Sequence, residues 1–168
     1  MHSSPRELQQ LMLEARNLEL GSPRQLQLLE TLRARCPTFV PALLLTSRAQ
    51  LWNPDNAEQS DAIFAQIEQM LRDAVEASGR TPESLMGLAR FMSVVRASPE
   101  AAEALYREAS KRALEILEES WSGLIEALGE QEKADEALRI SEHARQVFAD
   151  SEQLDEARTF AQLHPRPT

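Results

Sequence analysis

The chain has 168 residues, 42% of them hydrophobic and 27% charged, with a formal net charge of -9 and a single cysteine. That length makes one domain or a short repeat array with a real core, and the acidic balance excludes a general nucleic-acid binder, because phosphate contact needs a basic surface. Five glycines in all are too few for a sheet with many tight turns or for a glycine-rich phosphate loop, so helix is the expected element.

At the start, "MHSSPREL" shows no basic segment followed by an apolar run, and nowhere do eighteen apolar residues follow one another. Neither a secretory leader nor a membrane span is expected. Cys36 alone allows no internal disulfide, so the expectation is a soluble, cytoplasmic protein. Arginine outnumbers lysine sixteen to two, which suggests a GC-rich bacterial source. Residues 1–50 carry +2 and the remainder -11, an asymmetry that can steer a partner or orient self-association.

Ser4, Ser22, Asn53, Thr81 and Ser98 each precede a proline. A side-chain oxygen can accept from a free N–H of the first turn, while proline at the first helical position loses no hydrogen bond. Glu7 and Gln25 stand three residues after Ser4 and Ser22, as a capping box requires. The first helix is predicted over 5–20, with Leu8, Leu11, Met12, Ala15 and Leu18 on one stripe, and the second over 23–36, with Leu26, Leu29, Leu32 and Cys36. Pro37 ends the second helix, Phe39 packs across the turn, and Pro41 lies in the first turn of a third helix over 40–52.

A fourth helix (56–78) carries Ile63, Ile67, Met70, Leu71 and Ala74, and a fifth (82–96) carries Leu85, Leu88, Ala89, Met92 and Val95. Helices follow over 99–117 and 119–129, or one helix over 99–129, since no proline separates them; Trp121, Leu124, Ile125 and Leu128 form the later stripe. Two more, 133–149 with Ala137, Ile140, Ala144 and Val147, and 151–163, bring the expectation to about nine amphipathic helices. Residues 1–4 are expected to be disordered and 164–168 a flexible tail, leaving 5–163 as a single domain.

Helix pairs with this punctuation resemble tetratricopeptide repeats, whose unit is about 34 residues. Trp121, Leu124, Ile125 and Leu128 match the family's first-helix signature, with Ile125 in place of the small residue. Ala137, Ser141 and Ala144, and also Ala102, Tyr106 and Ala109, match the second. "LRDAVEASGRTPESLMGLARF" resembles a repeat junction, with Ala74 in the closing helix and Leu85, Leu88, Ala89 and Met92 in the opening one. Anchors at Leu8, at Ala42 or Leu43, at Leu85 and at Trp121 give spacings of 34 or 35, 43 or 42, and 36 residues. Thr46, Ser47 and Gln50 fit the signature poorly because they are polar. The resemblance implies an all-α fold of antiparallel helix pairs stacked as a right-handed superhelix, with a capping helix at 151–163.

The chemistry of the side chains points away from catalysis. The three histidines, His2, His143 and His164, have no second histidine or cysteine at metal-ligand spacing, and Cys36 has only His143 as a candidate base inside the fold. No metal or cofactor is expected, and the reading is not an enzyme. The resemblance implies instead a concave surface lined by the opening helices, on which a peptide or helix of another protein lies. Arg16, Leu44, Arg48, Trp52, Met86, Arg90 and Val94 are the residues expected there. Arg48 and Arg90 occupy similar places in successive opening helices, suited to a carboxylate or an acidic motif of the partner. Family members that clamp a terminal carboxylate use Lys and Asn as well; here Asn17 is the only such Asn and no Lys precedes Lys111, so that clamp is disfavoured. An adaptor or scaffold is thus the first expectation. A small acidic immunity protein or secretion chaperone that neutralises an effector is the second, and self-association of the +2 end with the acidic remainder is a third.

Overall fold

The structure, a computed structural model, describes residues 4–53 and 60–163. The expected disorder of residues 1–3, the expected helix start at 56–59, the tail 164–168 and the histidines His2 and His164 lie outside the described residues. Among the described residues there are eight α-helices and no strand: α1 (Pro5–Arg16), α2 (Pro23–Arg35), α3 (Val40–Leu51), α4 (Ser60–Ala77), α5 (Pro82–Val94), α6 (Pro99–Glu130), α7 (Ala134–Arg145) and α8 (Glu152–Leu163). No helix of the described residues is long and apolar enough to cross a membrane.

The count is eight rather than nine because 99–117 and 119–129 are one helix. Ser120 donates its hydroxyl to Ile116 O at 2.7 Å, one turn back within the same helix, and no proline interrupts the ladder. The first helix ends at Arg16, four residues short of expectation. Asn17 is its cap, and Gly21 at φ +80° turns the chain toward the Ser22-Pro23 start of α2. α7 likewise stops at Arg145, where Val147 and Phe148 both donate to Ala144 O and tighten the last turn.

Local chemistry sets these ends. The Ser4 hydroxyl accepts from Glu7 N at 3.3 Å while Glu7 Oε2 accepts from Ser4 N at 3.1 Å, a complete capping box. At Ser22 only half the box forms: its hydroxyl accepts from Gln25 N at 3.4 Å, but the Gln25 side chain turns inward. Thr81 makes no side-chain cap; its hydroxyl joins that of Ser84, which also meets Ser78 at 2.7 Å.

The chain divides into two compact units, Met1–Ala109 and Ser110–Thr168. In the first, each helix from α1 to α5 packs on the next, and α1, α3 and α5 also touch side by side. Its core has two clusters. Leu28, Leu29 and Leu32 of α2 pack with Met12 and Ala15 of α1 and Ala42 and Ala49 of α3; Ile67, Met70 and Leu71 of α4 pack with Leu85, Leu88 and Phe91 of α5. Each such leucine contributes about 2 kcal/mol by leaving water. The second unit has its own core, in which Ile125 and Leu128 meet Ala137 and Ala144 of α7 and Leu154, Ala157 and Ala161 of α8.

Candidate functional site

Small side chains let the opening helices of the first unit approach one another. Ala15, Ala42, Ala49 and Ala89 are fully buried. At Gly87 on α5, a Cβ would lie 3.1 Å from Leu44 Cδ2 of α3, so the absent side chain is what seats Leu44 there. The turn after α1 is drawn in by Gln25, whose Nε2 donates to Ala15 O at 2.9 Å and whose Oε1 accepts from Gly21 N at 2.8 Å. Thr46 and Ser47 are buried despite their polarity, because their hydroxyls donate to Ala42 O and Leu43 O at 2.7 and 2.8 Å, within their own helix. Polar residues that depart from the repeat signature thus serve as small core residues.

These approaches leave a groove of about 1040 Å³ across α1, α3 and α5. All seven residues singled out from the sequence line it. Arg16 ends α1; Leu44 and Arg48 lie on α3, with Trp52 as its cap; Met86, Arg90 and Val94 lie on α5. Leu44 is half-buried and forms floor, whereas Trp52 and Val94 are 73% and 75% exposed and form rim. Phe64 and Leu71 of α4 also reach the groove, as do Leu18 and Leu20 of the turn after α1. Sequence periodicity missed these, because they come from closing helices and turns. Gly87 offered a signal: a lone glycine between Leu85 and Leu88 inside a helical pattern costs helix stability relative to alanine, which packing can offset.

The groove's charge is opposite to that of the chain. Arg16, Arg48 and Arg90, one from each opening helix, face one carboxylate, Glu83, whereas the chain carries -9. Among the described residues these three arginines make no hydrogen bond or ion pair within the chain, although Arg24, Arg72, Arg80 and Arg96 pair with Glu14, Glu68, Glu108 and Glu68. An apolar floor with three free guanidinium groups can hold an apolar side chain and, around it, carboxylates in bidentate contact.

The groups considered for catalysis lie elsewhere. Cys36 is half-buried as the cap of α2, and the His143 ring stands edge-on to Trp121 at 5.5 Å in the second unit. No group of three or more His, Cys, Asp or Glu able to hold a metal ion occurs among the described residues.

Residues 1–79, which include α1 to α4, match the model of the Myxococcota tetratricopeptide repeat protein family. Over 160 residues, 95% of this chain and 94% of the relative, the sequence is 37% identical to an uncharacterized 18.1 kDa protein in the carS 3′ region of Myxococcus xanthus. No solved structure matches. With its helix pairs, buried alanines and the family match over residues 1–79, the chain is a tetratricopeptide-like repeat protein, and it belongs to one family with that Myxococcus xanthus relative.

Proposed function

We propose that this chain is a protein-interaction module, an adaptor or scaffold, that holds a short segment of another protein in the groove across α1, α3 and α5. The segment is apolar on the side that meets Leu44, Met86 and Trp52 and acidic beside it. One observation carries the reading: three arginines that have no partner among the described residues, one per opening helix, surround an apolar floor in a protein that is otherwise acidic. Burial of the apolar side chains supplies affinity, and the guanidinium groups fix orientation and speed encounter with an acidic partner.

Recovery of bound proteins from a cell extract on the immobilised chain, compared with Arg48→Glu plus Arg90→Glu, tests this. Both arginines are exposed, so the variant keeps its fold. At least one partner is expected to fall by tenfold or more, the scale of two lost charge-assisted contacts. Unchanged recovery of every partner contradicts the groove assignment.

A further inference from the structure

In the second unit, α6 carries an apolar stripe that α7 and α8 cover only in part. Leu114, Leu117, Trp121 and Leu124 follow one another at three- and four-residue spacing. The Trp121 ring meets His143 and Phe148 at 5.5 and 5.8 Å, so α7 and the turn after it reach this level of α6. Ile125 and Leu128, further along, are in the core. Leu124 is still 43% exposed, and toward the N-terminus the stripe continues with Leu114 46% and Leu117 37% exposed. An apolar row that runs past the end of its cover is a contact surface.

The flanking residues say what covers it. With Leu114 at heptad position a and Leu117 at d, Lys111 and Glu118 both fall at e, and Ala113 and Ser120 both at g. Two antiparallel helices set e against e and g against g. A two-fold axis midway between Leu114 and Leu117 then places Leu114 on Leu117 of a second copy, Lys111 on its Glu118, and the small Ala113 on its Ser120, with the same contacts returned. Arg112, Glu115 and Glu119 fall outside the e and g positions. A parallel pair would instead set Lys111 against Tyr106 and Glu118 against Ala113, matching no charge. Within its own helix Lys111 has only Glu115 at 3.9 Å, both side chains well exposed, which leaves the ammonium available.

We propose that α6 is a self-association surface on which the α6 of a second copy packs antiparallel across Leu114 and Leu117, flanked by two Lys111–Glu118 pairs. The stripe is short. The contact belongs to the weak class of interfaces, below about 1,200 Å², and serves to present two grooves at once.

Sedimentation equilibrium from roughly 10 μM to 1 mM, the range suited to weak interfaces, tests this. The native chain is expected to approach twice the monomer mass. Lys111→Glu or Glu118→Lys alone sets like charges opposite one another at both pairs and is expected to weaken association about tenfold. Mixing these two single variants restores association, and so does Lys111→Glu plus Glu118→Lys in one chain. Leu114→Glu is expected to abolish association with helical circular dichroism retained; if it fails to fold, the charge variants alone decide. A native chain that stays monomeric, single variants that associate like it, or a mixture no tighter than its components overturns the proposal.

Discussion

Gln25 shows how far local spacing carries at the level of one residue. Its position three after Ser22 predicts a reciprocal cap, and the hydroxyl half of that cap forms. The amide half is diverted to Ala15 and Gly21, because the end of α1 brings two backbone groups within its reach. That diversion depends on a neighbouring helix and was not legible in the sequence. The glycines of α6 separate the same two influences. At Gly129 a Cβ would lie 2.7 Å from Ala161 Cα and 2.9 Å from its Cβ, backbone and stem that cannot swing aside, whereas at Gly123 it would meet nothing within 4 Å. Gly129→Ala is therefore expected to destabilise the protein by about 1–2 kcal/mol, since overpacking outweighs the helix preference of alanine. Gly123→Ala is expected to stabilise it by up to about 1 kcal/mol. Urea unfolding of both variants checks the pair, and a destabilised Gly123→Ala or a neutral Gly129→Ala contradicts the packing described here.

Among the elements, α4 and α5 are tied by an ion cluster as well as by their core. Glu68 of α4 accepts from Arg72, one turn on, at 2.7 Å and from Arg96, beyond the end of α5, at 2.8 Å. The Arg72 hydrogen bond holds its carboxyl below the ordinary value against the opposing effect of partial burial, and Arg96 adds to the lowering. Because the folded-state pKa is depressed, the stabilisation is present above the unfolded value near 4.5 and is lost as pH falls through the lower folded value. Glu68→Gln is expected to cost about 1 kcal/mol near neutral pH, discounted for its exposed partner Arg72, and nothing once the carboxyl is protonated. Urea midpoints of the two proteins that stay equally far apart from pH 6 to pH 3 would contradict this. Helix starts were legible wherever Ser or Thr precedes proline, because the signal lies within four residues. The continuity of α6 was not settled by local pattern: "EESWSG" holds neither a stop nor a start, and in the structure Ser120 bonds back to Ile116 within one continuous helix.

For the molecule as a whole, the repeat grammar identified the face of α1, α3 and α5 from which seven side chains line one groove, because helical periodicity alone fixes which residues share a face. What it missed came from elsewhere in the first unit: Phe64 and Leu71 on α4, and Leu18 and Leu20 in the turn after α1, reach the groove only because tertiary packing brings them there. The central claim is that this groove is open to another polypeptide. A photoreactive benzoylphenylalanine in place of Trp52, 73% exposed on the rim, reads directly what touches it, with the same residue at Val147, half exposed in the second unit, as control. Irradiation in the native cell is expected to join position 52 to another protein, at a yield that drops with Arg48→Glu plus Arg90→Glu, while position 147 gives no such product. Crosslinks from position 52 only to the chain's own residues, or a pattern no different from position 147, would contradict the account.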